Sequence, residues 1–199
     1  MNSIFLPAIA LSLTLGTSAF GASYVVDPAH SQIGFRVKHL FSQLPGRFQT
    51  YSGSFDYDKD ITKTGNFVAE IDAASVNTDQ VKRDEHLKSP DFFDAAKFAK
   101  ITFKSTKVTP KAGNNFVVAG DLTIRGVTKP VELAAEYLGE VKDPTGTVKA
   151  GLRLTGKINR KDFGITWNKT LDGGSFVIGE QVDLDILLEA GQVDAKKKA

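Results

Sequence analysis

The sequence predicts an all-β chain: an antiparallel barrel of about eight strands with one short helical insertion. Three observations lead there. Apolar and polar residues alternate with period two along most of the chain, the signature of strands with one solvated face. Turn-forming clusters separate the alternating stretches. Only one stretch, Thr78 to Ala96, breaks the pattern with helical chemistry.

Ahead of the first strand, Met1 to Gly21 reads as a removable export signal. Ile4 to Leu15 is an apolar run interrupted only by Pro7, Ser12 and Thr14. It is shorter than the ~20 apolar residues of a membrane span. Ala19 and Gly21 suit the −3 and −1 positions of a signal peptidase, so cleavage is expected after Gly21. No Lys or Arg precedes the apolar run, a departure from the usual signal. The alternative is a buried N-terminal helix. Export implies that the mature chain works outside the cytoplasm and is not integral to a membrane.

The expected strands follow in order, near residues 23–39, 46–58, 64–76, 98–109, 114–124, 127–141, 147–159 and 177–190. In the first, Ile33, Phe35 and Val37 alternate with Gly34, Arg36 and Lys38. Leu44-Pro45-Gly46 reads as the turn into the second, which ends at Asp58-Lys59-Asp60. Phe67, Ala69, Ile71 and Ala73 form one face of the third. Gln80 to Lys88 then reads as a helix capped by Thr78 or Asp79. Asp79 with Arg83 and Asp84 with Lys88 are spaced for i,i+4 pairing. Pro90 ends the helix.

Ile101 and Phe103 mark the fourth strand, and Lys111 to Asn115 turns it into the fifth. Val131, Leu133, Ala135 and Tyr137 mark the sixth. The Asp143-Pro144-Thr145-Gly146 turn leads to the seventh. Asp172-Gly173-Gly174 precedes the eighth, where Val182, Leu184, Ile186 and Leu188 alternate with acids. The barrel therefore spans 22–190, and 191–199 is a flexible basic tail ending in Lys196, Lys197 and Lys198. A two-sheet sandwich is the alternative architecture.

Composition narrows the function. There is no cysteine, so disulfides, thiolate metal sites and Cys nucleophiles are excluded. The net charge is +2, and the three tail lysines account for the excess. No clustered basic surface suggests nucleic acid as a partner. Phe dominates the aromatics, with 14 Phe against 4 Tyr and 1 Trp. Phe offers apolar area without a polar atom, which suits a dry core or a lipid-like pocket alike.

The order of motifs resembles the YceI-like family of periplasmic, polyisoprenoid-binding proteins, from Tyr24 to Ala190. The resemblance begins with Asp27-Pro28-Ala29-His30-Ser31 and Phe35-Arg36-Val37-Lys38-His39-Leu40. It continues through Gly46-Arg47-Phe48, Gly53-Ser54-Phe55 and the block Arg83-Asp84-Glu85-His86-Leu87-Lys88-Ser89-Pro90-Asp91-Phe92-Phe93-Asp94. Thr102-Phe103, Gly120 to Val131, Ile158 to Gly164, Trp167-Asn168 and Gly179-Glu180-Gln181-Val182 complete it. Phe98-Ala99 departs from the family's aromatic-Pro pair.

The resemblance implies a lipocalin-like antiparallel barrel whose apolar interior holds a polyisoprenoid, an isoprenoid quinone or a similar long-chain lipid for transport, storage or stress response in the periplasm. It implies no catalysis and no cofactor beyond the lipid. The wall candidates are Phe35, Val37, Phe48, Phe55, Phe67, Ile71, Phe103, Phe116, Leu122, Ile124, Leu152 and Trp167. Phe92 and Phe93 on the insertion are placed to close the entrance. His39, Arg83 and His86 are the candidates for a polar head group. Each has a structural alternative, and Arg83 with Asp84 is better placed to tie the insertion to the barrel than to meet a head group. His30 is most simply structural.

Two other classes stay open. One is a hydrolase or metalloenzyme using His and carboxylates, although the G-x-S-x-G, H-E-x-x-H and P-loop motifs are missing. On an unbroken strand, His30 and His39 would point to opposite faces. The other class is a stress-related interaction module with a filled barrel. Oligomeric state, a homodimer included, is not fixed by these features.

Overall fold

A computed structural model describes residues 21–170 and 177–193; the apolar leader, the Asp172-Gly173-Gly174 turn and the lysine tail lie outside them. Eleven strands form one antiparallel sheet that closes on itself. They are β1 (Ala22–Val26), β2 (Gln32–His39), β3 (Ser42–Phe48), β4 (Tyr51–Tyr57), β5 (Gly65–Asp72), β6 (Val76–Asn77), β7 (Lys100–Pro110), β8 (Asn115–Ile124), β9 (Val127–Lys142), β10 (Val148–Asn159) and β11 (Ile178–Val193). One helix, α1 (Val81–Lys88), joins β6 to β7. Closure comes from β1, which pairs with β4 on one side and with β11 on the other.

The eleven strands make eight staves. β1 with β2, β3 with β4, and β5 with β6 are three long staves, each bent once. The bends are a 3-10 turn at Pro28–His30, the pair Gln49 and Thr50, and a 3-10 turn at Ala73–Ser75. They lie side by side, because Ile33, just past the first bend, pairs with Phe48, just before the second, and Tyr51, just past the second, pairs with Ile71, just before the third. The result is a crease across three neighbouring staves.

Side chains replace the ladder bonds lost at this crease. Ser31 Oγ accepts from the Glu189 amide at 2.9 Å and donates to the Glu189 carbonyl at 3.1 Å. Tyr51 donates its hydroxyl to the Ser31 carbonyl at 2.6 Å. Ser75 Oγ donates to the Asp72 carbonyl at 2.7 Å. Buried backbone polar groups need such partners.

Four expectations change here. The Leu44-Pro45-Gly46 turn is instead part of β3, and the chain reverses at Leu40 and Phe41. Pro45 is tolerated because β3 has no partner opposite β2 at that position; β6 reaches only Arg47 and Phe48. The helix cap is Gln80, whose side chain accepts from the Arg83 amide at 2.8 Å, rather than Thr78 or Asp79. The i,i+4 pairs do not form, because stronger partners compete. Asp79 takes a bidentate bond from Arg47, Lys88 takes Glu85, and buried Asp84 accepts from the Thr78 amide and hydroxyl. The last strand runs to Val193, beyond the expected 190.

The interior divides in two. At one end the barrel is solid. Tyr24 stacks on Phe55 and Phe55 on Phe67, with centroids 5.3 and 5.4 Å apart, and Phe67 meets Phe116 at 6.1 Å. Leu152 and Val118 are fully buried among them. Tyr24 and Tyr137 both donate to Glu140 at this end, at 3.3 and 3.2 Å. Burial and the Glu140 carboxylate push the Tyr24 phenol up to about 12. The second apolar cluster, around Phe48, Ile71, Phe92, Ile124 and Phe163, surrounds a hollow at the other end.

Candidate ligand-binding cavity

The hollow has a volume of about 710 Å³ and a wall dominated by apolar side chains. That lies within the usual range for sites that bury a small amphiphile or drug-sized ligand, ~300–1,000 Å³. The alternation read from the sequence builds it directly. Phe67, Ala69 and Ile71 face inward from β5, and Val182, Leu184, Ile186 and Leu188 from β11. Phe35 fits because its partner across the ladder is Gly46, and a Cβ on Gly46 would fall 2.3 Å from the ring. Phe103 lies over Gly120, two residues from its ladder partner Leu122, where a Cβ would fall 2.5 Å from the ring.

Fifteen of the expected residues line the wall: Phe35, Val37, His39, Phe48, Phe55, Phe67, Ile71, Arg83, His86, Phe92, Phe93, Phe103, Leu122, Ile124 and Trp167. Phe116 and Leu152 do not. Their parity is inward, but they fall at the solid end, packed against Phe67 and Val118. Ala73 also leaves the strand; it is buried in the 3-10 turn after β5 rather than on the wall. Parity fixes which face a residue takes and is blind to its height along the barrel.

The open end is shaped by α1 and by the segment after β10. Phe93 meets Phe48 edge-on at 5.6 Å, and Phe48 meets Phe35 at 5.8 Å. His86 stands edge-on to Trp167 at 4.7 Å and to Phe92 at 5.0 Å. Its Nε2 lies 2.8 Å from an Asp91 carboxylate oxygen, so the imidazole is held at both ring and nitrogen. Arg83 donates Nε to Thr78 Oγ1 and Nη2 to the Thr78 carbonyl, both at 2.7 Å. Both bonds, like those of Asp84 to Thr78, stay within the insertion, and Arg47 on β3 with Asp79 supplies a link to the barrel instead. His39 ends β2 at the mouth, half-buried.

Among the wall residues outside the sequence-based candidates, Arg160 is a buried charge. Arg160 is 5% exposed. Its Nε donates to the Gly179 carbonyl at 2.9 Å, and its Nη1 to the carbonyls of Ile165 and Trp167 at 2.8 Å each. Nη2 has no partner among the described residues. Burial pulls the guanidinium below its ordinary value, against the opposing field of Glu180. The signal available beforehand was an arginine between the apolar Ile158 and Phe163, a position where a charge needs a reason.

His30 sits away from the cavity, on the crease. It meets Asp27 at 3.0 Å, and Asp27 and Glu189 both face Lys149, at 3.0 and 3.6 Å. Asp27, His30 and Glu189 have the spacing of a metal-ligand set. The Lys149 ammonium already pairs with both carboxylates of that set. The 3-10 turn at Pro28–His30 interrupts the strand on which the His30–His39 parity argument depended. No helix among the described residues is long and apolar enough to cross a membrane.

Comparison with known proteins agrees with this architecture. Residues 24–190 match the model of the YceI-like domain. A UPF0312 protein of Vibrio parahaemolyticus is 40% identical over 82% of this chain and 88% of its own length. The crystal structure of a Campylobacter jejuni YCEI protein superposes with a TM-score of 0.69 at 36% identity, covering 85% of this chain and 97% of that one. A polyisoprenoid-binding domain from Saccharophagus degradans shares the fold, with a TM-score of 0.61 at 18% identity over 86% of this chain and 99% of that one.

Proposed function

The chain belongs to the YceI-like family, and we propose that its barrel holds one long-chain amphiphile, a polyisoprenoid or an isoprenoid quinone, for transport, storage or stress response in the periplasm. The observation that carries this reading is the apolar cavity, closed by a packed aromatic floor and open at one end. A chain inside it gains ~0.8 kcal/mol for each methylene removed from water, so affinity needs few polar contacts. His39, Arg83 and His86 lie at the open end, where a head group would rest. The reading contains no chemical step and no cofactor other than the lipid itself. The leader Met1 to Gly21 supplies the route to the periplasm.

The test is native mass spectrometry of protein purified from periplasm, followed by organic extraction. The expected result is an apolar ligand that leaves on extraction and returns when polyprenol is added in detergent. A mass equal to the bare polypeptide, with no uptake from detergent, would overturn the reading.

A further inference from the structure

The two most exposed large apolar side chains among the described residues are Phe41, at 104%, and Val81, at 77%. Both stand at the cavity mouth. Phe41 follows the wall residue His39 by two positions, at the tip of the β2–β3 hairpin. Val81 opens α1 and precedes the wall residue Lys82. Leu40, between His39 and Phe41, is itself 39% exposed and has φ of 51°. That conformation is ordinary for Gly or Asn and strained for Leu. The tip thus combines strain with exposed apolar area, and Phe41 covers nothing inside the protein.

The charge at the mouth has one sign. The charged residues on the wall are Lys82, Arg83, Arg160 and Lys169, and no Asp or Glu among the described residues lines it. Nearby carboxylates are committed elsewhere: Asp79 to Arg47, Asp84 to Thr78, Asp91 to His86 and Glu180 to Lys161. The Lys82 and Lys169 ammonium groups have no partner among the described residues.

We propose that this rim docks on an anionic lipid bilayer. Leu40, Phe41 and Val81 enter the head-group boundary, and Lys82 and Lys169 face the lipid phosphates. The proposal rests on the lipid-cavity reading above and says where the ligand is exchanged. An apolar finger flanked by unpaired cations matches a fluid, negatively charged interface. Continuity of that rim with the apolar wall lets a chain pass between bilayer and cavity without crossing water. Three apolar side chains and two lysines give reversible attachment, since each lysine near such a surface changes association by about fivefold.

Flotation of the mature protein with two kinds of vesicle tests this: phosphatidylcholine alone, and phosphatidylcholine mixed with phosphatidylglycerol. Wild type should associate with the mixed vesicles in low salt and not with the zwitterionic ones. Phe41→Ser should lower that association on the order of tenfold, and Lys82→Glu should remove much of its dependence on phosphatidylglycerol. Leu40→Asn suits the turn, so it should hold or raise the melting temperature while weakening association. Phe41→Ser and Leu40→Asn should still take up polyprenol from detergent as wild type does. Equal association with both vesicle types, no association with either, or wild-type association of Phe41→Ser would overturn the docking surface. Failure of wild type to take up polyprenol from detergent would instead overturn the cavity reading, and the flotation result would still decide the docking.

Discussion

Two residues illustrate how single side chains hold this barrel in shape. Asp27 is pulled down to about 2, first by its hydrogen bond with His30 and then by Lys149. His30 is raised above its ordinary 6.5, chiefly by Asp27. The Asp27 contribution is full above 3.8 and fades as pH falls toward 2. The His30 contribution is full below 6.5 and fades as pH climbs through the raised value. Between those limits both are present. The urea midpoint of His30→Asn should therefore fall below that of wild type near pH ~5 and converge with it near pH ~9. A gap that ignores pH would refute the pairing. Arg160 makes a stronger case because it is buried. Arg160→Met leaves three carbonyls, of Gly179, Ile165 and Trp167, without their donor. It should cost roughly 3 kcal/mol in denaturant titration, despite removing a buried charge.

At the level of elements, the crease is the feature most open to experiment. Ser31→Ala leaves the Glu189 amide and carbonyl without their substitute partner. It should destabilise the chain by about 1–3 kcal/mol, and amide exchange should quicken at Glu189 more than in β8. All eight staves were legible in the sequence, because period-two alternation and turn residues report each of them. Their bends were not. Pro28 marked one, but Gln49-Thr50 and Ala73-Ser75 carry no breaker, and the three align only through pairing between distant strands. The β2–β3 turn escaped notice because Leu40 and Phe41 are not turn residues, and Pro45-Gly46 looked more like one. The helix was found nearly to the residue, while its partners were misjudged. Local spacing offered Asp79 to Arg83, but Arg47, on a strand beside it in space, forms the better fork.

On the scale of the whole molecule, the choice between filled core and hollow barrel resolves into one of each, stacked end to end. The two halves should answer mutation differently. Phe116→Ala opens a void in the solid half and should cost ~3–5 kcal/mol in a melt of delipidated protein. Ala69→Trp projects into the hollow half from β5 and should leave the delipidated melt nearly unchanged while lowering lipid occupancy in a titration. A large loss of stability in Ala69→Trp would mean that the hollow closes when empty. The wall candidates were legible because inward parity is a sequence property. The boundary between the halves was not, since it depends on which rings stack across the barrel. That boundary has a metric meaning. Phe55 and Phe67 belong both to the stacked aromatic core and to the cavity wall, so they form a rigid floor at a set depth below the mouth. A floor of packed rings works as a ruler. A chain short enough to rest above it is enclosed entirely, and a longer one must double back or leave its excess at the rim. On the proposed reading, selection by length would rest on two phenylalanines at the far end from any head group.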